Sequence, residues 1–503
     1  MPRWKLYQYF FLAIIVSIYL ILRLGWLDTI QFGYDQPRLA FAVIDFLKSP
    51  TFWDSFKYVI PNAWGQSSWG PIQIFFFAPF VMISRNPVVL SALIAIFNLI
   101  SVLAVIYIGS KFISPFVGIV SGLFLATHPW WVIFSRMIYE PTPIPTFVSL
   151  GILVIFLVVK YKQTKWIIFL FPIWSVLLQL YYHAITFVGI GFIGVLTQIN
   201  KISVKYLFVG IFVSLILFLP YANTPLAYPF LKSDKPTNTA SVVETPLKRL
   251  GDIGPRFLES VSGGDFVWDL GYGFNDFVNA KPKLITISYF VTFLTALMLL
   301  YNVYQIKNVG NRLLRTLLIL WTLAPVLFLS LVNLPDILPL PRYFLISLPS
   351  VSILWGLTIE DIYKRNQIVG IVFLSIPLFW MVFIFNYYKF IETYDYPKGI
   401  LSHYSDPAYV FLDKAMRVMF DDQLKMGYRN IVVSYDASNP KKFSFNATTE
   451  YAWRYVFNKN TTISNDSEVG YYLLDYSVDT PNNYLRIYRS GPYSLYRFVG
   501  TSL

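Results

Sequence analysis

The chain is 503 residues long, 56% hydrophobic and only 13% charged, with a mean hydropathy of +0.55 and a formal net charge of +13. The charged fraction is about half the soluble-protein average, and apolar runs of about 18 residues or more, each able to cross a ~30 Å hydrocarbon core, recur along the first 390 positions, which excludes an ordinary soluble protein. The absence of cysteine excludes disulfides, thiolate nucleophiles and Cys-ligated metals, and three scattered histidines (His128, His183 and His403) argue against a His-based zinc site.

The basic residues are dispersed over loops and tail with no basic stripe, so nucleic acid is not an expected partner. The first apolar run, 7–27, follows Arg3 and Lys5 and lacks a small-residue cleavage site; it reads as a retained first helix. Further membrane helices are predicted over 87–108, 113–128, 143–161, 165–181, 184–199, 204–220, 284–304, 312–332, 342–361 and 367–387. The fold class is therefore a polytopic α-helical membrane protein of about eleven helices.

Charge assigns the sides. With the N-terminus inside, the inner segments carry thirteen Lys and Arg, whereas the short outer turns carry only Arg136 and Arg342, in accord with the positive-inside rule. An odd helix count then places the tail outside. The carboxylates agree independently: of 27 Asp and Glu, only Glu360 and Asp361 fall inside. No Walker motif and no Asp-x-Asp pair offers a cytosolic nucleotide site.

Three outer segments are too long to be simple connectors. In 28–86, Asp35 to Lys48 reads as a helix, Trp64 to Gly70 as a turn and Pro71 to Ser84 as an apolar piece that lies in the interface or dips into the bilayer. The second, 221–283, sets Asp265, Asp269 and Asp276 among glycines and aromatics. The tail reads as a small extracytoplasmic α/β domain. A helix is expected over 407–425, capped by Ser405 or Asp406, with strands over 430–435 and 471–476 and a terminal hairpin over 484–489 and 493–499. The domain division is 1–390 and 391–503. Three Asn-x-Ser/Thr triplets at Asn446, Asn460 and Asn465 are assigned no function.

Four constellations could do chemistry. Asp35, in Gly33-Tyr34-Asp35-Gln36-Pro37-Arg38, is a carboxylate near the interface suited to proton abstraction, or a cap for the helix that Pro37 opens. In Ser135-Arg136-Met137-Ile138-Tyr139-Glu140-Pro141, Arg136 and Glu140 form a local salt bridge if the segment is helical; otherwise Arg136 suits an anion and Glu140 a divalent ion or a hydroxyl. Arg342, in Leu340-Pro341-Arg342-Tyr343, snorkels toward headgroups or forks onto a phosphate. The tyrosine pair Tyr181 and Tyr182 and the lone His183, in Gln179-Leu180-Tyr181-Tyr182-His183, are interfacial belt residues or part of a site. All four fall at the outer surface, and ionisable groups in membrane segments are functional candidates by default. The residues by themselves indicate an outer-face membrane enzyme or transporter.

The order of these motifs resembles the GT-C glycosyltransferases, polytopic enzymes that take a sugar from a polyprenyl-phosphate carrier outside the membrane. The branch in view is that of the protein mannosyltransferases and the bacterial aminoarabinose and Rgt-type transferases. The resemblance spans about 7–390: a first helix, an acid-bearing first loop, Gly70-Pro71 opening an apolar piece, a Ser-Arg-x-x-x-acid loop, and an Arg-Tyr at a later outer helix start. It implies Asp35 as the base, Glu140 as the second-loop acid, and Arg136 and Arg342 on the donor phosphate. Arg38, Tyr182, His183 and Tyr343 would line the substrate. Gln36 stands where many relatives carry a second acid, which leaves a pair-dependent metal in question. A divalent cation, Mg or Mn, on Asp35 and Glu140 is the one cofactor considered.

The implied reaction transfers the sugar with inversion to a glycan, lipid or protein acceptor, in a plasma or inner membrane with the N-terminus cytoplasmic. The competing readings are a Wzy-like glycan polymerase or ligase and, further off, a transporter or flippase, for which mid-membrane charges would be expected.

Overall fold

The structure is a computed structural model, and it describes residues 6–30, 32, 35–51, 60–61, 68–69, 71–181, 183–222, 246–264, 273–307, 312–331, 341–393, 409–426, 433–434, 452, 456, 471–475, 484–490 and 493–499. Every predicted membrane segment is helical. The helices are α1 (Leu6–Leu24), α2 (Asp35–Lys48), α3 (Ile72–Ile83), α4 (Pro87–Phe112), α5 (Pro115–Thr127), α6 (Pro129–Phe134), α7 (Ile144–Tyr161), α8 (Ile167–Leu180), α9 (Ala184–Leu196) and α10 (Val204–Ala222). They continue with α11 (Pro246–Ser262), α12 (Gly273–Ala280), α13 (Pro282–Gln305), α14 (Arg312–Leu331), α15 (Leu348–Arg365), α16 (Gln367–Phe373), α17 (Ser375–Thr393) and α18 (Tyr409–Met426).

Seven helical stretches among the described residues are long and apolar enough to cross a membrane: Leu6–Leu24, Pro87–Phe112, Ile144–Tyr161, Pro282–Gln305, Arg312–Leu331, Arg342–Arg365 and Gln367–Thr393. Pro115–Thr127, Thr164–Leu180, Ala184–Leu196 and Val204–Leu219 are shorter apolar helices. Proline in the first turn opens α4, α5, α6, α7, α13 and α15, where its missing N–H is no loss and its fixed φ suits the helix. Asn86 and Ser114 cap α4 and α5, accepting from Val88 N at 2.9 Å and Val117 N at 3.1 Å.

α4, α5 and α15 form the packed centre, and small residues set their spacing. A Cβ on Gly118 would lie 2.4 Å from Ile106 O, and one on Gly356 would lie 2.8 Å from Val117 O. Such close backbone approach is the usual source of helix association in lipid, where no hydrophobic force separates helix from tail.

Polar pairs close one end of the bundle. Ser114 donates to Glu360 at 2.6 Å, Arg315 pairs with Asp361 at 3.0 Å, Tyr301 donates to Asp361 at 3.4 Å, and Lys160 donates to the carbonyl of Phe112. The two acids assigned to the inner side are therefore used to tie α5, α13, α14 and α15 together.

At the opposite end lie α2, α3 and α11, with a two-residue hairpin of β1 (Ile60–Pro61) and β2 (Ser68–Trp69). The predicted turn at 64–70 falls mostly outside the described residues. The tail holds α18 and a four-stranded sheet of β3 (Val433–Ser434), β4 (Tyr471–Asp475), β5 (Tyr484–Ser490) and β6 (Tyr493–Phe498) in the order β3-β4-β6-β5. β3 and β4 are parallel and the rest antiparallel. Asp422 on α18 accepts from Arg497 and from Tyr471, both at 2.8 Å, which fastens the helix to the sheet. Residues Ser405, Asp406, Asn446, Asn460, Asn465, Asp265 and Asp269 lie outside the described residues.

Candidate active site

The site end is built on the C-terminal end of α1. Arg23, the next-to-last residue of α1, is 0% exposed. Its Nε donates to Ser135 Oγ at 2.7 Å and its Nη1 to Ala126 O at 2.8 Å, and its guanidinium lies 3.6 Å over the Tyr19 ring. Arg136 answers from the loop after α6. Its Nη1 donates to Trp26 O at 2.6 Å and Arg23 O at 3.4 Å, and its Nη2 to Thr29 Oγ1 at 3.2 Å. Each arginine thus binds the segment that carries the other. Arg136 satisfies carbonyls left open where α1 ends.

The local Arg136–Glu140 pair considered from spacing is not formed. α6 stops at Phe134, so 135–143 is a series of turns, and four-residue spacing no longer places two side chains on one face. Asn98 holds this loop, donating to Ser135 O at 2.9 Å while accepting from Thr146 Oγ1 at 2.7 Å. Glu140 is buried in it. A small cavity opens on Arg136, lined also by Thr29, Ile30, Ile133, Met137 and Tyr387.

Arg342 is the second residue of the 3-10 turn Pro341–Ser347 that leads into α15. Its guanidinium donates to Tyr139 Oη and lies 5.8 Å from the Tyr139 centroid and 5.6 Å from that of Tyr343. Tyr343 in turn lies against His183, ring centroids 4.7 Å apart, and His183 stacks on Tyr181 at 4.9 Å and meets Phe328 edge-on at 5.6 Å. Burial among these rings, with the Arg342 charge adding to it, pushes the His183 imidazole down to about 3, so it is neutral at physiological pH. The predicted residues Arg342, Tyr343 and His183 therefore form one cluster, and Tyr139 links that cluster to the Arg136–Glu140 loop.

Asp35 is the first residue of α2, five residues after Ile30, whose carbonyl accepts from the backbone of Tyr409 at 2.8 Å. The Asp35 side chain and Tyr182 lie outside the described residues. Arg38 is half-buried on α2. Among the described residues no three His, Asp or Glu side chains come together as a metal site.

Two residues of the site are not singled out by the sequence. Tyr139 is one more tyrosine in an outer turn, and Arg23 lies inside the first apolar run, although a charge within a membrane helix is itself a signal. His128 proves to be an anchor. Burial pushes its imidazole down to about 3, and its Nε2, 3.1 Å from Val261 O, donates to the end of α11. Trp380 donates to Ser262 O at 3.1 Å beside it.

No protein-family model and no curated protein sequence matches the chain. Solved structures do. ArnT from Cupriavidus metallidurans bound to undecaprenyl phosphate superposes with a TM-score of 0.50 at 10% identity, covering 97% of each chain. The apo state of the same enzyme gives 0.50 at 11% identity, over 96% of this chain and 97% of that one. An oligosaccharyltransferase from Archaeoglobus fulgidus, in complex with Zn and sulfate, gives 0.48 at 12% identity over 92% of this chain and 68% of that one. At such identities the likeness concerns the fold alone, and the two ArnT structures establish it over nearly the whole length. The chain thus has the fold of the two ArnT structures, with seven helical stretches among its described residues long and apolar enough to cross a membrane.

Proposed function

We propose that the chain transfers a sugar from a polyprenyl-phosphate donor to an acceptor on the extracytoplasmic face of the membrane. The observation that carries this reading is the placement of Arg136 and Arg342, joined through the Tyr139–Glu140 loop, at one end of a GT-C bundle whose neighbour binds undecaprenyl phosphate. Such a carrier cannot leave the bilayer, so its headgroup must be met where the bundle reaches the surface.

In this reading the Asp35 carboxylate takes the proton from an acceptor hydroxyl. The oxygen forms a bond to the anomeric carbon as the bond from that carbon to the phosphate oxygen breaks, with inversion. The phosphate leaves on its lipid as an anion. Arg342 and Arg136 donate to that developing charge. Glu140 orients the acceptor or the sugar, with Tyr343 and His183 as the apolar wall beside it. A divalent cation would draw on Asp35 and Glu140; no step requires one.

The test is Asp35→Asn in the purified chain, assayed with a panel of polyprenyl-phosphate sugars. Transfer is expected to be lost, by about 10²–10⁴-fold for removal of a general base, with expression and melting unchanged. Near-normal turnover would remove Asp35 from the mechanism.

A further inference from the structure

Arg23 and Arg136 have no carboxylate partner among the described residues. Every acceptor of their guanidiniums is a main-chain carbonyl or a hydroxyl. Aromatic faces complete the surroundings. Arg136 lies 4.7 Å over the Tyr388 ring, on which Trp26 stacks at 5.4 Å, and Arg23 lies over Tyr19. The two charges repel each other, and Arg23 Nη2 and Tyr388 Oη are buried without a hydrogen-bond partner. Fully buried charges ordinarily come paired.

A staple between α1 and the loop would not need this charge. Neutral donors could reach Ser135 Oγ and Ala126 O without the cost of desolvating a cation. What a buried cation adds is a field, which in a dry environment acts on whatever anion arrives nearby.

We propose that Arg23 is a positioning residue for the lipid phosphate: it holds Arg136 and the Ser135 turn in place, and contributes a second positive charge that no carboxylate among the described residues compensates. The proposal rests on the reading of Arg136 as a phosphate ligand. It also ties the two loops. Arg136 grips the chain at 23, 26 and 29 on the way to Asp35, and Glu140 follows four residues after Arg136.

The test measures binding of two probes, undecaprenyl phosphate and undecaprenol, to the full-length chain in nanodiscs. They share the tail, so the ratio of their affinities isolates the phosphate. Wild type is expected to prefer the phosphate by about tenfold or more, as charge-assisted hydrogen bonds allow. Arg23→Gln should cut that preference by about tenfold, and Arg23→Lys, which keeps the charge but not the fork, by about threefold. Ser135→Ala, which leaves both arginines, should also cut it by about threefold through misplacement of Arg136. Undecaprenol affinity should not change in any of them.

If wild type prefers the phosphate and Arg23→Gln prefers it equally, or loses both lipids alike, the proposal fails and Arg23 is a staple. If Arg23→Gln does not fold, unchanged preference in both Arg23→Lys and Ser135→Ala overturns it. No preference in wild type would overturn the phosphate reading itself, and this proposal with it.

Discussion

Arg342 is the cation whose surroundings say most about its use. It is held by a phenol and two ring faces, none of which carries a formal negative charge, so its charge is available to an incoming anion. Arg342→Ala should therefore weaken the donor more than the acceptor. Loss of a charge-assisted hydrogen bond, ~1.5–3 kcal/mol, corresponds to about 10–100-fold in donor KM. Equal losses for both substrates would count against a phosphate role.

The neighbouring His183 makes a second prediction, about stability. It and His128 fall from an ordinary 6.5 to about 3 in the folded chain. The unfolded chain therefore binds more protons between these values, so stability is full above about 6.5 and is lost as pH falls toward 3. Each histidine should contribute up to ~1.4 kcal/mol of loss per pH unit in that window. Melting temperature from pH 7 to pH 5 should fall accordingly, and His183→Phe should make the slope shallower. A slope unaffected by that change would show His183 to be hydrated. Sequence found Arg342, Tyr343 and His183 because polar groups are conspicuous in apolar turns. It passed over Tyr139 because a tyrosine at a membrane interface needs no special explanation.

At the scale of elements, hydropathy is a reliable guide because lipid forces the backbone to satisfy itself within each segment. All the predicted membrane segments are helices, α2 and α18 appear where helical spacing placed them, and the apolar piece 71–84 forms the helix α3. Short elements were less legible. The strand expected over 430–435 is described only at Val433–Ser434, and the loop after α6 has no period at all, so the salt bridge deduced from helical spacing had no helix to sit on. The glycine contacts between α4, α5 and α15 were also invisible, because a small residue marks close approach only once its partner is known. Gly118→Val should force α4 and α5 apart at Ile106 O and Ser110. A loss of ~1–3 kcal/mol is expected for overpacking of this kind, read as a lower melting temperature in detergent. Unchanged melting would show that these helices can separate without cost.

For the whole molecule, the question is which end faces which compartment. The structure divides its polar chemistry between two ends: Arg315, Glu360, Asp361 and Lys364 are consumed in pairs at one, while Arg23, Arg136 and Arg342 have no carboxylate partner among the described residues at the other. Tail and site share an end, since Tyr409 at the start of α18 donates to Ile30 O and packs edge-on against Phe32 at 5.7 Å, just ahead of Asp35. Any assignment of the site therefore assigns the tail as well. The positive-inside rule puts the paired end, with Lys364 and Arg365, in the cytoplasm. The natural chain has no cysteine, so a single introduced thiol reports its own side without background. Leu424→Cys, 79% exposed on α18, should react with a membrane-impermeant maleimide in right-side-out vesicles, and Arg365→Cys, exposed at the end of α15, only after permeabilisation. The reverse pattern would place the site in the cytoplasm, where a sugar carried on the outer leaflet cannot reach it, and the proposed reaction would fall with the topology.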